Sequence, residues 1–282
     1  MRLLVQVTAS LLLGASLLAQ DLRVQVADDV LQGHTLRVEI QAESGTPTPD
    51  HWTAEFRDRK VKVYPDGPER WLALMPIDAT GPVGTDALVI RSTDGKPLFK
   101  KDIRVKDARF RIQNIRATSG MKALKPLPGE METIRALQET DSPHRHWSEP
   151  LVSPTPQCIN SPFGVQRFHN GKPTGNYHRG IDHRSPQGTP VRATAGGVVK
   201  ISKMYRLHGG TVGLDHGHGL SSIYIHLSKL AVKEGSIVER GDTIGFVGST
   251  GFATGPHLHW GLYVNGLPVN PLQWVPDIKA CK

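Results

Sequence analysis

Short apolar segments closed by glycine-rich turns fill the chain after Cys158: GTPVRATAGGVVKISK, GGTVGLDHG, LSSIYIHL, GSIVERGDTIGFVGSTG and LHWGLYVNG. Runs of this length, bounded by residues that turn the chain sharply, suit a pleated sheet and leave little room for helices. Residues 157–282 are therefore expected to form an antiparallel, largely all-β domain. Upstream, residues 21–116 alternate apolar and polar side chains in bursts: Leu36, Val38, Ile40; Val61, Val63; Ile103, Val105; Phe110, Ile112. Turn signals at 65–69 (PDGPE) and 92–95 (STDG) separate them, and the spacing suits an immunoglobulin-like β-sandwich. No cluster of His, Cys or carboxylates stands out there, so this unit reads as an accessory binding or positioning module. The predicted fold class is all-β throughout.

Residues 117–156 differ. GEMETIRALQE carries Met131, Ile134 and Leu137 at helical spacing after Pro128, which predicts a short helix. The following TDSPHRHWSEPLVSPTP is rich in Pro and Ser and reads as a linker with His144 and His146 in solvent. Residues 1–20, MRLLVQVTASLLLGASLLAQ, have a basic residue at Arg2, an apolar run broken by small residues, and an expected processing site after Ala19 or Gln20. That pattern is a signal peptide, too short for a comfortable membrane span. An exported chain without stable membrane insertion is expected. Export would expose Cys158 and Cys281 to a disulfide-permissive environment, where they either form one bridge or remain two free thiols.

Net charge is +8, and residues 151–282 hold 13 Lys and Arg against 6 Asp and Glu. Nearly all the excess lies in the C-terminal half, which favours an anionic polymer or surface as partner. Nucleic acid is disfavoured as a partner by the expected export and by the lack of any Lys/Arg run or recognised binding motif.

Nine of the 13 histidines follow residue 150. His216 and His218 sit in LDHGHGL and read as turn residues; His169, His183 and His208 have no companion at suggestive spacing. His178 and Asp182, in NYHRGID, would lie about 13 Å apart on a straight strand. Joint ligation requires a bend at Arg179–Gly180, where glycine relieves the steric cost. His257 and His259 differ, because period two sets them on one strand face about 6 to 7 Å apart, with Leu258 turned into the core. His226, in IYIHLS, lies on the face opposite Ile225 and Leu227 and could join them. Zinc accounts for such a set: two His and one Asp would hold it with a fourth position open. Further histidines would then move protons or hold a developing oxyanion.

The blocks SPFGVQRFHNGKPTGNYHRGIDHRSPQGTPVRATAGGVV, SIYIHLS, VKEGSIVERGDTIGFVGSTGFATGPHLHWGLYVNG and VNPLQW resemble, in order, the lysostaphin/LytM-type zinc metallo-endopeptidases of bacterial cell walls. The resemblance implies zinc ligands at His178, Asp182 and His259. It implies non-ligand catalytic roles for His226 and His257, a β-sheet core with zinc in an open groove, and cleavage of peptide bonds in peptidoglycan crosslinks. Peptidoglycan stem peptides are the implied substrate, a monomer is expected, and the N-terminal domain's protein partner is undefined. A plain signal peptide without a wall-anchoring module favours the periplasm. Two rival readings exist. A non-catalytic activator or scaffold of a cell-wall amidase would have lost one of the five residues, and none is missing. A carrier module, suggested by VKEGSIVERGDTIG, lacks a lysine at an exposed hairpin tip. The linker is either a plain tether or a cover that lays His144 and His146 over the open zinc position.

Overall fold

The computed structural model describes residues 22–42, 51–116, 118–275 and 278–282, and the chain is predominantly β. The expected signal peptide, residues 1–20, lies outside the described residues. No helix among the described residues is long and apolar enough to cross a membrane.

The N-terminal unit consists of two sheets. One runs in the order Leu22–Gln25, Thr35–Ala42, Arg70–Pro76, Tyr64–Pro65; the other in the order Asp29–Leu31, Pro97–Lys106, Gly84–Arg91, Thr53–Phe56, Arg59–Lys62. Their inner faces share one apolar cluster that includes Val38, Ile40, Trp71, Ile90 and Ile103, as the alternation Leu36–Val38–Ile40 predicts. The pairing is not wholly antiparallel, because Asp29–Leu31 runs parallel to Pro97–Lys106.

Strand Arg70–Pro76 breaks the alternation. Residues 71–76 are buried without interruption, which marks a strand covered on both faces. Trp71, Ala73 and Met75 enter the core of the N-terminal unit, whereas Leu72 and Leu74 enter the core of the C-terminal unit. A single strand thus belongs to two cores and fuses the units.

The C-terminal unit is built on an antiparallel sheet in the order Ile159–Ser161, Ile181–His183, Leu258–Val264, Leu220–Leu230, Gly210–Gly217, Gly197–Met204, Ile237–Val238. Leu258, Trp260 and Leu262 all point into its main core. His259, Gly261 and Tyr263 alternate to the opposite face. Helix Glu130–Gln138 covers the Tyr263 end of that face through Ile134 and Leu137, which pack on Ile201, Tyr205, Ile223, Ile225 and Tyr263. Burying a leucine such as Leu137 contributes about 2 kcal/mol. The His259 end stays open.

Several expectations are corrected here. The predicted helix exists, but Met131 is 42% exposed and Glu130 takes the buried position. Strand Ile112–Ile115 joins neither sheet of the N-terminal unit; it pairs in parallel with Gln166–His169, whose antiparallel partner is Lys172–Tyr177. Ile112 is consequently exposed while Phe110 packs on Phe163. Residues 140–152 form a strap rather than a loose linker. Thr140 and Ser142 hydroxyls donate to buried Asp215, the Leu151 and Val152 amides donate to Trp274 and Thr194, and Trp147 is buried edge-on to Trp274. Arg145 of the strap pairs with Asp66 of the N-terminal unit. Cys158 and Cys281 are joined by a disulfide that holds residues 279–281 beside Ile159.

Candidate metal centre

His178, Asp182 and His259 converge on the open end of the sheet. The register explains how, since Asp182 is paired directly with His259 across neighbouring strands. His178 precedes its strand, and the chain bends at Gly180 to bring it round. A Cβ at Gly180 would stand 2.4 Å from the Trp260 carbonyl oxygen and 2.8 Å from His259 Nε2, so only glycine fits the bend. The straight-strand separation expected between His178 and Asp182 therefore disappears.

His178 Nε2, His259 Nδ1 and Asp182 Oδ1 are mutually 2.9 Å apart. His178 Nδ1 is 2.9 Å from the Pro162 carbonyl and 3.2 Å from Ser161 Oγ. A carbonyl only accepts, so Nδ1 carries the hydrogen and Nε2 turns a lone pair inward. The His178 Nε2 lone pair faces Asp182 Oδ1 and His259 Nδ1, and a cation held among the three would bind them all. Two N donors and one O donor suit zinc and leave a position open. Backbone and hydroxyl groups behind the ring fix its orientation, as metal-binding imidazoles require.

Burial raises the pKa of Asp182, but His178 and His259 overcome it and hold the carboxyl well below its usual range. Arg167 donates to the other carboxylate oxygen at 3.2 Å. Burial pushes His259 down to about 4, with opposing help from Asp182 and further lowering by His178. Its imidazole is thus neutral near neutral pH, the form that binds a metal.

His226 and His257 stand beside the cluster, their ring centroids 4.8 Å apart. His226 Nδ1 donates to the Thr250 carbonyl and His257 Nδ1 to the Gly255 carbonyl, each at 2.8 Å. The same argument from carbonyl chemistry leaves both Nε2 atoms free, and His257 Nε2 lies 4.0 Å from Asp182 Oδ1. Burial, then His257 and His259, push the His226 pKa down to about 3. His226 does not follow simple strand alternation. Its φ of +66° is left-handed, where the pairing of strand Leu220–Leu230 with Gly210–Gly217 shifts register between Tyr224 and Leu227. A non-glycine residue in that region is held there by its surroundings. All five residues line or adjoin one groove of about 490 Å³, with Arg167, Arg184, Phe252 and Pro256 on its walls.

The other histidines divide differently from expectation. His216 is a fully buried strand residue rather than a turn residue, and only His218, with φ of +54°, turns. His208 has a companion after all, the carboxylate of Glu130 at 2.7 Å. His144 is exposed as expected, whereas His146 is half-buried and its amide donates to the His216 carbonyl. That contact lies beyond the Leu220–Val264 end of the sheet, five residue pairs from Ile225–His259, or about 16 Å. The strap does not lay either ring over the metal cluster. Sequence reasoning did not find the Ser161–Pro162 support of His178. The SPFG block carried it, but nothing in the pattern assigned its partner.

Residues 176–271, which carry the three-donor cluster, match Peptidase family M23. The chain is 48% identical over 124 residues to the DD-carboxypeptidase/endopeptidase Mpg of Neisseria meningitidis, covering 44% of this chain and 28% of that protein. It is 42% identical over 115 residues to the peptidoglycan DD-endopeptidase ShyA of Vibrio cholerae, covering 41% and 27%. The chain thus aligns with under a third of the length of these curated relatives. A crystal structure of a candidate M23 peptidase from Pseudomonas aeruginosa superposes with a TM-score of 0.64 at 27% identity, covering 87% of this chain and 94% of that one. The likeness therefore extends over both units of the fold.

Proposed function

We propose that the protein is a zinc-dependent endopeptidase that hydrolyses peptide bonds in the stem-peptide crosslinks of bacterial peptidoglycan. The observation that carries this reading is the convergence of His178, Asp182 and His259 at 2.9 Å beside two further imidazoles whose Nε2 atoms are free. In this reading those three residues hold zinc, which supplies Lewis acidity to polarise a carbonyl and acidify water. In this reading His226 and His257 lie off the metal, each with an Nε2 lone pair placed to accept a proton. The imidazole that takes the proton of the attacking water becomes an N–H donor, able to hold the tetrahedral oxygen or protonate the leaving amine. Arg167 fixes Asp182 in place through its second oxygen. The cationic excess of residues 151–282 attracts the carboxylates of stem peptides.

The N-terminal unit is read as an immunoglobulin-like accessory module, a reading supported by its two facing sheets and shared core. The character of residues 1–20 supports export to the periplasm, and the protein is taken to act there as a monomer. Mass analysis of products from crosslinked peptidoglycan tests the activity. Zinc-dependent release of fragments cut at an amide within the crosslink is expected, and their loss with a chelator. Intact crosslinks, with a partner amidase stimulated instead, would establish the activator reading.

A further inference from the structure

The buried carboxylate of Glu130 has no part in the metal cluster. It is the first residue of helix Glu130–Gln138 and is 0% exposed. One oxygen accepts the Leu127 amide at 2.8 Å, which folds the helix start back on itself. The other accepts the amides of Leu207 and His208, each at 3.0 Å, and His208 Nδ1 at 2.7 Å. Burial pushes its pKa up, but the Leu127 and His208 bonds together hold it below the usual carboxylate range. An ionised carboxylate with this many donors is a strong clasp.

What the clasp grips is the loop that holds His226. The Leu207 carbonyl, on the same peptide as the Glu130-bound His208 amide, accepts the Phe252 amide at 2.8 Å, and the His208 carbonyl, one peptide further on, accepts the His226 amide at 3.0 Å. The two backbones are in close contact. A Cβ on Gly209 would meet Thr250 at 2.3 Å, and one on Gly251 would meet the Gly209 nitrogen at 2.4 Å. Thr250 in turn accepts His226 Nδ1 and donates its hydroxyl to the Leu227 carbonyl. Both N–H groups that fix His226 in its left-handed conformation therefore end on residues keyed to the Glu130-bound loop. Phe252, on the groove wall, is tied to the same loop.

We propose that Glu130 is a positioning residue for hydrolysis, which sets the His226 imidazole and the Phe252 side of the groove through Leu207 and His208. This inference rests on the reading of His226 as a proton-transfer residue. Misplacing such a group by about 1 Å costs on the order of a hundredfold in rate, and a loss confined to the chemical step appears in kcat rather than KM.

The test uses the full chain with Glu130→Gln, zinc content, steady-state kinetics on a defined crosslinked muropeptide dimer, and imidazole resonances of the 15N-histidine-labelled protein. The expected result is kcat reduced at least about tenfold with KM within about twofold. Zinc content should stay as in the unaltered chain, and the His226 resonance should move while that of His216 does not. An unmoved His226 resonance, a loss lying wholly in KM or in zinc content, or equal movement of His216 would overturn the proposal. If Glu130→Gln does not fold, Glu130→Asp keeps the charge but is too short to span both sets of donors, and the same readouts apply. If the unaltered zinc-loaded chain leaves the muropeptide uncut, the functional reading fails. The His226 resonance of the metal-free chain then still decides whether Glu130 sets that ring.

Discussion

Replacing His216 by glutamine should weaken the protein at neutral pH yet flatten its loss of stability in acid. His216 is completely buried, with Nδ1 2.6 Å from the Gly196 carbonyl and Nε2 2.7 Å from Ser222 Oγ. The Ser222 and Tyr224 hydroxyls share a bond of 3.1 Å, and the Thr194 amide donates to Tyr224. The Gly196 carbonyl only accepts, so the neutral ring carries its hydrogen on Nδ1. A second proton would place a charge in a fully buried site, which costs free energy. Burial, partly offset by the Gly196 bond and Asp215 and reinforced by His146, pushes the pKa from 6.5 down to about 4. The unfolded chain therefore binds the extra proton first. The neutral ring's contribution is complete above pH 6.5 and is lost as pH falls toward 4. At about 1.4 kcal/mol per pH unit within that window, the loss reaches about 2.5 kcal/mol at pH 4.5. Urea unfolding of metal-free protein at pH 7 and pH 4.5 reads it. His216→Gln should be less stable at pH 7 by about 1–2 kcal/mol through its broken hydrogen bonds. It should then lose about 2.5 kcal/mol less than the unaltered chain on going to pH 4.5. Equal losses for the two proteins would refute the assignment of the buried neutral ring.

Three further outcomes follow from the packing. Gly180→Ala forces a Cβ against the Trp260 carbonyl and the His259 ring, so zinc affinity should fall at least about tenfold in a competition titration, as for loss of a group that orients a ligand; unchanged affinity would contradict the bend. Cys281→Ser opens a bridge spanning 123 residues and should lower unfolding free energy by about 2–4 kcal/mol, read by urea denaturation against the oxidised chain; equal midpoints would count against it. Alanine at both His144 and His146 should leave muropeptide hydrolysis within about twofold, because the strap lies about 16 Å from the metal cluster; a severalfold rise would restore a covering role.

The sheet and the convergence of His178, Asp182 and His259 are largely legible because strand periodicity is local. His257 and His259 share a face for the reason period two gives, and the bend at Gly180 is where the sequence required one. Buried partnerships across long separations were not legible. Glu130 looks like an ordinary charge at a helix start, and its partners lie 77 and 78 residues away, so helical spacing favoured Met131 for the buried face. The strap was misread for a related reason. Pro and Ser composition reports the lack of regular structure, and says nothing of side chains such as Trp147 that anchor it. The run Trp71–Pro76 did carry a signal, since unbroken burial marks a strand covered on both faces. The alternating segments around it drew attention away.

The division between metal ligand and proton-transfer residue is tested most directly by zinc content measured beside hydrolysis in His259→Ala and His257→Ala. His259→Ala should lose both the bound zinc and the release of muropeptides from purified sacculi. His257→Ala should retain near-stoichiometric zinc while losing most of its activity. Equal zinc loss in the two variants, or full hydrolysis by a zinc-free His259→Ala, would contradict the account.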